Sequence, residues 1–165
     1  GNNQASSLLH TGKIFKNKKL ISNALKEVKY FYPYLIKENY LSSFKIESED
    51  DVNKFLDVEK YSQIAYNIRP DVFACVRAYK ATNDKEYLKT AVRIAGWFFG
   101  KNPAGVRMYD PSTGRCFDGI NDASVINKNS GAESTIEALL TLVSLEENPI
   151  SKEMLLHYYY NKKNK

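Results

Sequence analysis

The stretch GKNPAGVRMYDPSTGRCFDGINDASVINKNSGAES, Gly100–Ser134, decides how the rest of the chain is read. It shows neither helical nor strand periodicity, yet helical patterns flank it on both sides. Asn, Asp, Gly and Pro are concentrated in it. Loops longer than about 12–15 residues are uncommon in compact domains and are either functional or disordered. Here both ends are anchored, which predicts an ordered, functional loop. VRMYD and GRCFDG are the only strand-like runs, and they predict a small β-hairpin around PSTG.

Before the loop, Leu88, Ala91, Val92, Ala95, Phe98 and Phe99 recur at helical spacing in a helix opened by Asp84 and closed by Gly100 and Pro103. Further back, Pro70 starts a helix to about Ala81. A long pattern from Asn17 to about Leu41 contains Pro33, which should kink it. Residues 3–12 predict a short first helix, and 45–57 (KIESEDDVNKFLD) read as an acidic, aperiodic surface loop. After Gly100–Ser134, Ser130-Gly-Ala-Glu133 has the spacing of a capping box. The helix behind it carries Ile136, Leu139, Leu140 and Val143, and Asn148-Pro149 opens the last one. The expectation is an all-α fold of about six helices in three antiparallel hairpins, as one domain over residues 1–165.

Bulk properties narrow the function. Hydrophobic residues make up 43% and charged residues 26%, ordinary globular values that exclude wholesale disorder. The net charge of +5 is moderate and its lysines are spread, so nucleic-acid binding is a minor alternative. No apolar run approaches the ~20 residues of a membrane span. Cys75 and Cys116 form no metal-binding spacing, and a bridge between them depends on the fold. Absence of a leader and the lysine content lean towards a cytoplasmic protein, and the first residue, Gly rather than Met, suggests a piece of something longer. There is no phosphate loop, no EF-hand spacing and no base positioned for serine-hydrolase chemistry. No metal or cofactor is expected.

Sugars are bound by flat aromatic faces and by planar polar groups that pair with hydroxyls. Trp97 and Tyr109 supply the first; Asn102, Arg107, Asp110, Arg115, Asn121, Asn127 and Asn129 supply the second. Each also has a plain structural reading, Trp97 as core packing and Asp110 as a turn acceptor among them. Glycoside hydrolysis needs two carboxyl groups flanking the scissile bond, and Asp118 and Glu133 are the candidates, their acid and base roles left open. Glu133 competes with its own capping role, and Asp118-Gly119 also reads as a turn.

WFFGKNPAGVRMYDPSTGRCFDGIN followed by VINKNSGAESTIEALLTL resembles a segment of the six-hairpin glycosidase-like (α/α)-barrel proteins. The likeness extends over about residues 58–145. It implies an (α/α) toroid around a carbohydrate-accepting cleft, lined here by the 100–134 loop, with this chain as the C-terminal half. The positions matching the motif are Asn102, Tyr109, Asp110, Thr113, Gly114, Asp118, Gly119, Asn127, Asn129, Gly131, Ala132, Glu133 and Ser134. A complete barrel needs twice the helices present, so the implied partners are a carbohydrate ligand and the missing N-terminal half or another subunit. The alternative is a non-catalytic helical module that docks another domain, for which an exposed apolar edge is expected.

Overall fold

The computed structural model describes residues 3–49 and 52–160. Helix α1 (Gln4–Ile14) buries Ala5 and Leu9 and lies so close to the next helix that a side chain at Gly12 would meet Ile21 at 2.8 Å. Helix α2 (Lys18–Lys26) starts where the Asn17 side chain accepts hydrogen bonds from the amides of Lys19 and Leu20. It passes through a π turn (Glu27–Phe31) into α3 (Tyr32–Lys37). The proline effect expected at Pro33 takes that form: its missing N–H interrupts the ladder, and the wider turn just before it, in which the Tyr32 amide reaches back to the Glu27 carbonyl, takes up the irregularity.

Helix α4 (Ile68–Thr82) touches α1, α5 (Glu86–Ala95) and α6 (Ala132–Glu146), while α5 also touches α3 and α7 (Pro149–Leu155). The helices therefore form two layers, α1, α4 and α6 in one, α2–α3, α5 and α7 in the other. Between them lies the core of Leu9, Val28, Val72, Cys75, Leu88, Ile94, Phe98 and Leu145. Two charged contacts tie the first layer across its helices: Arg77 donates to the Ser6 carbonyl of α1 at 3.0 Å, and Arg69 pairs with Glu137 of α6.

The all-α expectation is overturned. The fold is mixed, with two antiparallel sheets. Strands β1 (Ser43–Glu49) and β2 (Val52–Glu59) form a hairpin where an acidic surface loop is expected, with Ile46 opposite Phe55 and Glu47 opposite Lys54. Phe44 and Ile46 alternate with Lys45, Glu47 and Glu49, which puts Phe44, Ile46 and Phe55 on one face of the hairpin, with Val52 and Leu56 on the other. The second sheet has the order β3–β4–β5, from β3 (Gln63–Ile64), β4 (Gly119–Asp122) and β5 (Val125–Asn127). Around PSTG the pairing is a single bridge, Tyr109 to Cys116; the laddered hairpin lies further along the loop. A purely helical toroid does not describe a chain with these sheets.

Two local expectations also change. The N-cap of α6 is Gly131, without a side-chain cap, so Ser130 and Glu133 close no capping box. On α6, the buried face is Ala138, Leu142 and Leu145 with Glu137 and Thr141, while Ile136, Leu139, Leu140 and Val143 are 40–52% exposed. The helix is apolar nearly all round, so periodicity does not separate its core face from its outer one. Cys75 and Cys116 are both buried and free. Among the described residues no helix is long and apolar enough to cross a membrane.

Candidate functional site

The 100–134 loop is ordered by its own polar groups. Asn102 donates to the carbonyls of Trp97 and Val106, both at 2.7 Å, and Val106 N–H returns a bond to its side-chain oxygen. Asp110 accepts from the Ser112 amide at 2.9 Å and from the hydroxyls of Ser112 and Thr113, which holds its carboxyl below the usual range. Asp118 accepts from the Gly131 amide at 3.0 Å and from the Ser134 hydroxyl, so it fastens the loop to the start of α6. Asn127 accepts from the Asn129 amide, and the Asn129 carbonyl accepts from the Asp118 amide. These bonds supply the partners that irregular backbone needs when a loop packs onto a fold.

The remaining predicted residues are dispersed between core and surface. Trp97 is fully buried, edge-on to Phe98, and Tyr109 is 7% exposed against Phe99. Arg107 lies over the Phe99 ring at 5.6 Å, whereas Arg115, Asn121 and Glu133 are exposed. The loop meets the rest of the fold at Gln63. Trp97 Nε1 donates to Gln63 Oε1 at 2.9 Å, and β4 pairs with β3 through Gln63 and Ile120. Gly119 is needed there, since a Cβ would stand 2.3 Å from the Gln63 carbonyl oxygen.

Gln63 also lines a cleft of about 920 Å³. This volume lies in the range that takes small ligands. The cleft is enclosed by the α2–α3 segment, the apolar face of the β1–β2 hairpin, β3 and the start of α4; no residue of 100–134 lines it. Its outer wall is aromatic. Phe55 of β2 stacks on Tyr34 (4.6 Å between centroids, 15°) and on Phe31 (6.0 Å, 13°), with Phe44 edge-on at 5.3 Å. Such pairs contribute about 0.5–1.5 kcal/mol each beyond burial, so they clamp the hairpin over the cleft.

Two carboxyl groups, Glu27 and Asp71, line the same cleft. Tyr32, 1% exposed, donates its hydroxyl to Glu27 Oε1 at 3.3 Å. Neither carboxyl forms an ion pair among the described residues. Burial raises the Glu27 carboxyl above its ordinary value. Asp71 is pushed up to about 8, by burial first and by the Glu27 charge second, against the opposing pull of Tyr32. Asp71 therefore holds its proton to a higher pH than an ordinary carboxyl does. One turn on, burial also raises the Cys75 thiol well above its ordinary range.

Sequence reading missed this pair. A signal was present: Asp71 lies three residues from buried Ile68 and four from buried Cys75, and Glu27 lies three from buried Ala24. A carboxyl on the apolar stripe of a helix is unusual enough to mark a site. Compared with known proteins, the chain matches no family model and no curated protein.

Proposed function

We propose that the chain is a carbohydrate-active domain with glycoside-hydrolase-like chemistry, and that its sugar site is the cleft between the β1–β2 hairpin, α2–α3 and α4. The observation that carries this reading is the combination in one concavity of an aromatic wall and a carboxyl pair, Glu27 and Asp71, in unlike environments. Aromatic faces suit the apolar faces of sugar rings. Two carboxyls of differing proton affinity suit acid–base cleavage of a glycosidic bond. The likeness of about residues 58–145 to six-hairpin glycosidase-like proteins supports the same class. Within it the 100–134 loop acts behind the cleft, fixing Gln63 and β3, rather than by touching sugar. The free, buried thiols fit a reducing, cytoplasmic setting.

One observation favours the second reading, a helical module that docks another domain or subunit: the exposed apolar stripe Ile136, Leu139, Leu140 and Val143. Incubation with cello-, xylo-, malto-, manno- and chito-tetraose, with products read by chromatography, separates the two. The carbohydrate reading expects cleavage of at least one member. A chain that cleaves and binds none of them, and sediments as a dimer, supports docking instead.

A further inference from the structure

We infer that the β1–β2 hairpin is a hinged flap, which swings as one rigid piece to admit a ligand to the cleft and then closes over it. The inference rests on the cleft being the binding site. The hairpin satisfies its own polar groups. Ser43 bonds to Glu59, Lys45 pairs with Asp57, Ser48 bonds to Asn53, and Lys54 pairs with Glu49. Among the described residues, every side-chain hydrogen bond and ion pair of the two strands stays within the hairpin. Its hold on the body is apolar. Phe44 and Phe55 are the only residues of either strand that are not exposed, and they meet Phe31 and Tyr34 of the α2–α3 segment. Such contact has no directional bond to break, so it can part and re-form.

The root of the hairpin is built in the opposite way. Gln63 is 4% exposed, and its Nε2 donates to the carbonyls of Asn39 (3.3 Å) and Tyr40 (3.4 Å) before the hairpin and of Lys60 (3.0 Å) after it. Its Oε1 is held in turn by Trp97. Tyr40 has a φ of 68° and is anchored by its hydroxyl on the Ile94 carbonyl at 3.0 Å. A bulky residue keeps that backbone only where its surroundings fix it. Just beyond comes the first rung of the flap, the Ser42 N–H on the Glu59 carbonyl. Leu41 and the Glu59–Lys60 link are all that lies between the fixed root and the rigid flap. Hinges consist of a few such element-terminal residues. Glu27 and Asp71 stand on the body, so they stay in place while Phe44, Ile46, Asn53 and Phe55 of the flap close onto the ligand and exclude water.

Relaxation-dispersion NMR of the full chain tests the flap without any sugar. Phe31, Tyr34, Phe44, Ile46 and Phe55 should exchange at one common rate on the microsecond-to-millisecond timescale of lid motions, with Tyr40 and Gln63 quiet. Phe55→Ala removes both stacks and the edge contact with Phe44, and should raise the open population by about tenfold or more. The cross-strand contacts between Glu47 and Lys54 should survive in that variant, because the ladder does not depend on the clamp. Absence of a common exchange process overturns the inference, and so does a hairpin that unravels once the clamp is cut. If Phe55→Ala does not fold, Phe44→Leu decides: it should raise the open population to a smaller extent, and unchanged exchange overturns the flap. In the tetraose panel, a sugar that binds should quench the exchange, and Phe55→Ala should speed its release by about tenfold. A bound tetraose that leaves the exchange untouched overturns the flap. Common exchange with no tetraose bound counts against the carbohydrate reading and leaves the flap standing.

Discussion

Asp71→Asn is expected to stabilise the protein at neutral pH while removing its proposed chemistry. The folded carboxyl keeps its proton up to about pH 8, whereas in the unfolded chain it releases it near the ordinary value of 3.8. Between those values the unfolded state binds fewer protons than the folded state, so the contribution of this group to stability falls as pH rises. The loss begins near pH 4 and levels off above about 8. Asparagine has the same shape and no proton to lose. Its advantage over aspartate should therefore grow through that window, to a few kcal/mol at its top, reduced because the side chain meets solvent in the cleft. Thermal melts of both proteins from pH 4 to 9 check this. A difference in Tm that widens with pH is the expected result, and a constant difference contradicts it. A residue whose neutral replacement improves stability is being kept for another reason, the trade-off that functional sites show.

Trp97→Ala has the largest expected cost. The indole is fully buried and edge-on to Phe98 at 5.4 Å; its N–H holds Gln63, and the Trp97 carbonyl accepts from Asn102. Truncation of a buried tryptophan costs about 3–5 kcal/mol, and here it also leaves the buried Gln63 oxygen without its donor. A fall in Tm of roughly 10 °C or more follows for a chain of this size. A tryptophan acting as a sugar platform gives the opposite pattern: near-normal stability with lost binding. Urea melts together with a sugar titration of the same variant distinguish the two outcomes.

Most helices were legible in the sequence because one-sided burial writes itself at a 3.6-residue period. Leu88, Ala91, Val92, Ala95 and Phe98 all prove buried, and Asn148 caps α7 by accepting from the Ile150 amide. The β1–β2 hairpin escaped for a physical reason. Its alternation is present in Phe44-Lys45-Ile46-Glu47, but the strands are mostly exposed on both faces and rich in acids, so composition spoke for a loop. The three-stranded sheet pairs two residues of β3 with a strand far along the chain, and no local period records such a contact.

The site divides the same way. Sequence predicted an ordered Gly100–Ser134, because helical patterns anchor it at both ends. It did not show that the loop's polar side chains are spent on backbone groups, as with Asn102, Asp110 and Asp118. The cleft draws its walls from α2–α3, the hairpin and α4, so it exists only after tertiary packing. The rule that Glu27 and Asp71 break, a carboxyl on an apolar helix stripe, was readable residue by residue. That the two line one cleft was not.

The most direct test is protein-observed NMR of the full chain, with chito-, cello-, xylo- and malto-tetraose added in turn. The cleft reading predicts shifts at Tyr34, Phe44, Phe55, Gln63 and Asp71 for at least one of them, with the amides of 100–134 unmoved. Shifts confined to that loop, or none for any of the four at millimolar concentration, would contradict it.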